Sequence, residues 1–199
     1  MSLQKINPRT SVLLLFIIAT GMLRIMNCST LLSPLANFTP IGAMALFGGT
    51  YFKSNWKSYF FPLVTLLASD IVMMQLFYKQ HSNGLLYSGW LWTYSAFALM
   101  VLIGKYIKKV TFKNVLTAAV AAALAHWLIT DFGVWLGGGL DISTGTALTK
   151  DWHGFVQCYL QAIPFLKNML LGNVLYSGIL YGVFEVLQKR YPILQPSIS

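Results

Sequence analysis

Apolar positions fall into six long runs separated by short polar connections, at about residues 11–26, 40–52, 59–78, 89–104, 115–136 and 163–187. An α-helix rises about 1.5 Å per residue, so about 20 apolar residues cross a hydrocarbon core of about 30 Å. Five runs approach or exceed that length. The second, residues 40–52, covers only roughly 20 Å at that rise. Part of its crossing must then be made by the preceding loop, residues 33–38. Non-helical backbone at membrane depth survives only where protein or a water-filled cavity satisfies it. Thr39 is expected to N-cap this short helix, with Pro40 at its first position. A helix start aimed into a cavity, with Asn37 and Thr39 beside it, would be a polar binding element. A short span with an ordinary capped start is the alternative.

The fifth connection, residues 137–162, is the long one. Gly137, Gly138 and Gly139 open it, and residues 140–151 are polar. Trp152, Phe155, Val156, Tyr159, Leu160 and Ile163 then recur at helical spacing. That pattern predicts an amphipathic helix over 152–162, lying in a membrane interface. Long connections often act as lids; a plain surface loop is the other reading.

Composition agrees with the runs: 56% of the 199 residues are hydrophobic and 10% are charged. The expectation is an all-α membrane protein of one domain, with six transmembrane helices and a short or broken second helix. The net charge of +9 changes the picture only through its placement. Lys5, Arg9, Lys53, Lys57, Lys105, Lys108, Lys109, Lys113, Lys189 and Arg190 fall on one side of a six-span layout. Lys79 and Lys150 fall on the other, with Asp141 and Asp151. The excess predicts that both termini face the cytoplasm of an inner membrane. With the charge spent on short connections, no basic domain is left to bind nucleic acid. The N-terminal segment lacks a small-x-small cleavage site and is read as a retained first span.

Ionisable residues within spans are costly and are usually paired or functional. Arg24, Asp70, His126 and Asp131 are the internal ones, with Lys167 and Glu185 near the ends of the sixth run. Trp127, Asp131 and Trp135 fall at i, i+4 and i+8, within an arc of about 80° on one helix face. Two indoles beside a carboxylate suit a flat or cationic organic ligand. Alternatively the indoles anchor the interface and Asp131 pairs with Arg24 or Lys167. Asp70 is expected to pair with Arg24, since neither charge is tolerable alone in lipid, and it could also touch a ligand. His126 lies about 140° around the helix from Asp131, which argues against the two acting together. Asn173, Tyr176 and Ser177 share a face and could hydrogen-bond a ligand or join helices.

No Walker loop, HExxH, CxxC or nucleophile–base pair occurs, so no enzyme activity, cofactor or metal site is expected. Cys28 and Cys158 fall on the same side of the layout, as a disulfide, a soft metal ligand or two free thiols.

The block Asn37 to Gly49, Ser69-Asp70, and Cys158-Tyr159 with Ala162-Ile163-Pro164-Phe165 together resemble an uncharacterised bacterial membrane family. More broadly, the six runs and short second helix resemble the S-components of energy-coupling-factor (ECF) vitamin transporters. That resemblance implies an S-component-like bundle that binds a vitamin-like small molecule from outside and takes it up. It also implies the lipid bilayer and an ECF-type coupling protein with ATPases as partners. The Ala-x-x-x-Ala docking signature of those proteins is missing from residues 11–26, and no cysteine lies between Asp70 and Trp90. The expected site is Asn37, Thr39, Asp70, Trp127, Asp131 and Asn173, with 152–162 as a lid. The rival expectations are a membrane scaffold without transport and a membrane enzyme using His126 and Asp131.

Overall fold

A computed structural model describes residues 7–27, 37–77 and 84–196. They form α1 (Pro8–Asn27), α2 (Ile41–Tyr51), α3 (Asn55–Leu76), α4 (Trp90–Lys105), α5 (Phe112–Leu136), α6 (Trp152–Gln161) and α7 (Ile163–Arg190), then a short 3-10 turn at Pro192–Leu194. Among the described residues there is no β-strand beyond one bridge between Leu140 and Ala147. Four helices, α1, α3, α5 and α7, are long and apolar enough to cross a membrane, while α2 and α4 are shorter apolar helices. Their outward faces are greasy: Leu15, Ile18 and Met22 on α1, and Leu171, Leu175, Ile179 and Val183 on α7, are all exposed. Such a surface suits lipid and marks a membrane protein.

The short α2 is the hub. Ten of its eleven residues are buried, and it packs against α1, α3, α4, α5 and α7. A helix that is apolar all round must be surrounded, and α2 therefore forms the axis of the bundle. Its glycines set the distances. A Cβ at Gly49 would stand 2.1 Å from the Val101 carbonyl of α4, and one at Gly104 would stand 2.2 Å from the Leu46 carbonyl of α2. Those two glycines let the α2 and α4 backbones touch, which small residues permit in membrane bundles.

The helix starts differ from expectation. α2 begins at Ile41, with Pro40 in the cap position and no side-chain cap hydrogen bond there. Thr39 thus does not occupy the N-cap; the Thr39 N–H bonds the Asn37 carbonyl at 3.0 Å, and Asn37 takes a left-handed conformation (φ 66°). α3 starts four residues earlier than its apolar run and carries Pro62 inside it. There Ser58 Oγ bonds the Phe52 and Ser54 carbonyls at 3.0 and 3.1 Å, tying the helix start to the end of α2. α5 is capped by Thr111, whose hydroxyl accepts from Asn114 N at 3.2 Å. The run of residues 33–36 and Cys28 lie outside the described residues.

Both described chain ends meet at one end of the bundle. Arg9 donates to Gln188 Oε1 at 2.5 Å and to the Leu194 carbonyl, and its guanidinium lies over the Tyr51 and Phe184 rings. Tyr51 in turn donates to Glu185 at 2.5 Å. Glu185 is therefore part of a network that joins α1, α2, α7 and the terminal turn.

Candidate functional site

The opposite end of the bundle carries two polar features. The first is a cavity of about 60 Å³ lined by Asn37, Ala123, His126, Trp127, Thr130, Asp131, Phe165, Leu166 and Met169. It lies where α5, the start of α7 and the turn before α2 come together. α6 covers the neighbouring surface of α5: the Tyr159 ring meets Trp127 edge-on at 5.0 Å, and the Tyr159 hydroxyl donates to the Leu128 carbonyl at 2.7 Å. At this size the cavity has room for a few waters. Trp127 Nε1 is buried and has no hydrogen-bond partner among the described residues. The Asp131 carboxylate has no ion-pair partner among the described residues.

The second feature is a vestibule of about 730 Å³ between the start of α4 and the end of α5. Its walls include Tyr87, Trp92, Thr93, Thr130, Gly133 and Gly137–Gly139. That volume lies within the usual range of small-molecule sites. Gly133 accepts the Trp92 ring, which a Cβ there would approach to 2.3 Å. Thr130 of α5 lines both spaces.

Behind the vestibule sits the buried ion pair. Arg24 Nη1 lies 2.6 Å from Asp70 Oδ1 and donates to Ser69 Oγ at 2.6 Å. The Tyr94 hydroxyl donates to Asp70 Oδ2 at 2.9 Å. Both Asp70 oxygens are thus engaged, and Asp70 lines neither space. Burial, and then the nearby Asp70 charge, push the Tyr87 hydroxyl up to about 12, so Tyr87 faces the vestibule as a neutral donor.

Of the six expected site residues, Asn37, Trp127 and Asp131 line the cavity. Thr39 and Asn173 lie at the junction of α2 and α7 instead: a Cβ at Gly172 would stand 3.1 Å from the Thr39 carbonyl, and one at Gly42 would meet Asn173 Oδ1 at 2.2 Å. Asn173 is fully buried and donates to the Ala119 carbonyl at 3.3 Å. Its Oδ1 and the Ser177 hydroxyl have no hydrogen-bond partner among the described residues. Trp135 does not line the cavity; its Nε1 donates to the Thr149 carbonyl at 2.9 Å and its ring meets Phe155. The second indole thus holds the loop before α6 and α6 itself, not the cavity beside Asp131. His126, placed by helix angle on a different face, nevertheless lines the same cavity as Asp131. Its ring also packs edge-on against Phe97 at 5.4 Å.

The loop between α5 and α6 is built and anchored. Asp151 caps α6 by accepting from Gly154 N at 2.8 Å and from the Thr149 hydroxyl at 2.6 Å. Lys150 caps α5, donating to the Trp135 and Leu136 carbonyls, where a cation also meets the negative end of the helix dipole. Asp141 Oδ1 accepts from Ser143 N and Oγ at 2.8 and 2.7 Å. Cys158 is a buried free thiol whose Sγ donates to the Asp131 carbonyl at 3.4 Å. Among the described residues no group of three metal-ligating side chains occurs.

No curated protein and no solved structure matches this chain. A family model described as a family of unknown function, DUF6580, matches residues 4–194. With nearly its whole length matched, the chain belongs to the DUF6580 family.

Proposed function

We propose that this protein is a six-span, S-component-like binding and uptake protein for a small vitamin-like organic solute, held in a bacterial cytoplasmic membrane with both termini inside. The observation that carries the reading is the Asp131 carboxylate, unpaired among the described residues, in one cavity with the orphaned Trp127 Nε1. A half-buried carboxylate without a cation is costly within a membrane span, and a solute carrying a cationic or hydrogen-donating group would offset that cost. The Trp127 ring offers a face to a flat or cationic group. Two further features support the layout: a short second helix at the bundle axis, and α6 stapled over α5 by Tyr159. A cavity of about 60 Å³ is too small for a vitamin, so binding requires it to widen, and Thr130 is the residue it shares with the vestibule. The solute then enters from the 730 Å³ vestibule. The implied ECF-type coupling protein, powered by its ATPases, would dock at a lipid-exposed face of the bundle.

A thermal-shift screen of the detergent-purified protein tests this, using water-soluble vitamins and aromatic organic cations as probes. One chemical class is expected to raise the melting temperature by several degrees in wild type and not in Asp131→Ala. A flat response from every probe, or an equal rise in the variant, would contradict the reading.

One observation favours a second reading, a membrane-embedded enzyme: His126 and Asp131 line the same cavity. It predicts turnover of an extracted lipid or cofactor that is lost in His126→Gln. The binding reading predicts no turnover and a retained thermal shift in that variant.

A further inference from the structure

At the end of the bundle that holds the termini, α4 and α5 are joined by residues 106–111, and a groove of about 620 Å³ opens beside them. Its mouth is formed by Lys108, Lys109, Lys113 and Asn114, and its floor by Ile103, Ile107, Thr117, Ala118 and Ala121. The three lysines are exposed and make no ion pair with any described residue. No acidic residue occurs between Asp70 and Asp131, and Asp131 stands eighteen residues beyond Lys113, toward the other end of α5. The neighbouring Lys105 is already engaged by Asn55 and the Tyr59 ring. The start of α5 adds its own positive dipole end at the mouth. Beside the mouth, Tyr106 and Phe112 are 73% and 83% exposed, as aromatics are where a membrane interface runs.

We infer that this groove binds an anionic phospholipid of the surrounding leaflet. Its phosphate sits among Lys108, Lys109 and Lys113, and one acyl chain lies along Thr117, Ala118 and Ala121. A basic mouth leading into an apolar slot of small side chains matches a headgroup joined to a chain. A free phosphate would use only the mouth. Basic pockets between membrane helices recognise anionic headgroups in this way, each nearby lysine strengthening the attraction. The assignment rests on the membrane reading but not on Asp131 or on any solute.

Native mass spectrometry of the full chain, in micelles doped with phosphatidylglycerol or phosphatidylcholine, tests it. Wild type is expected to retain one phosphatidylglycerol at least about tenfold more strongly than phosphatidylcholine. The Lys108→Gln/Lys109→Gln/Lys113→Gln variant should lose that preference, and Lys189→Gln/Arg190→Gln should keep it. Millimolar inorganic phosphate should leave the adduct in place. Equal retention of both lipids by wild type, equal loss in the two charge variants, or displacement by free phosphate would each overturn the proposal. The wild-type comparison between lipids needs no variant to fold.

Discussion

Arg24 Nη1 and Asp70 Oδ1 stand 2.6 Å apart across α1 and α3, with 12% and 1% of their side chains exposed. The pair has further hydrogen bonds to Ser69 and Tyr94. Taking two charges out of water is expensive, so such a pair adds little over an apolar replacement, while removing one partner leaves an uncompensated charge. Asp70→Ala is therefore expected to destabilise by about 3–5 kcal/mol. The double variant Arg24→Met/Asp70→Leu should recover most of that loss. Chemical unfolding of the solubilised protein, followed by helical signal, measures both; a double variant as unstable as the single would contradict this account.

Glycine positions separate tight helix crossings from open ones. A Cβ at Gly49 would collide with backbone of α4, whereas nothing lies within 4 Å of a Cβ at Gly178 or Gly182. Gly49→Ala should cost about 2 kcal/mol or more, within the range of overpacked sites. Gly178→Ala should be neutral, or stabilise by up to about 1 kcal/mol through helix propensity. Melting temperatures of the two variants, measured side by side, decide this; equal effects would refute the proposed axis.

The Cys158 thiol gives a pH readout at the roof of the site. Burial, and then the Asp131 charge, push it up to about 11. A raised value means that the reactive thiolate appears only as pH rises toward it. Near pH 8, alkylation of Cys158 in a Cys28→Ser background should run roughly two orders of magnitude slower than at an ordinary thiol. The rate should still be climbing at pH 10. A plateau by pH 9 would mean that α6 does not bury this residue.

Two carboxylates predict the acid limit of the loop between α5 and α6. Asp141 is held below its ordinary value by hydrogen bonds from Ser143, and Asp151 by the Gly154 N–H and then the Thr149 hydroxyl. Their folded values lie below the unfolded value of 3.8. The contribution is therefore complete above that pH and is lost as pH falls through the folded values. Protease cleavage within residues 137–151 should stay slow down to about pH 4 and rise below it. An acid-resistant loop would contradict these caps.

Sequence pattern carried the helices well where a long apolar run met lipid on one side. α6 was legible because Trp152, Phe155 and Tyr159 repeat at helical spacing, and the structure forms a helix over Trp152–Gln161. The hub role of α2 was less legible. A run of 13 apolar residues reads as a short span, and only its five packed neighbours show why it can be short. Around the cavity, helix angles placed Trp127 and Asp131 together but could not show that the same cavity reaches His126. The destination of Trp135 depended on the Thr149 carbonyl, fourteen residues away in a loop, and no periodicity encodes that.

The central claim is that the cavity around Asp131 and Trp127 holds a small solute. Native mass spectrometry of the detergent-purified protein, wild type beside Asp131→Ala, tests it most directly. The account predicts a discrete added mass in the vitamin range on wild type, and none on a variant of unchanged helical content. A clean unliganded mass after exposure to a metabolite extract of the source cells, or an adduct equally present in both proteins, would contradict it.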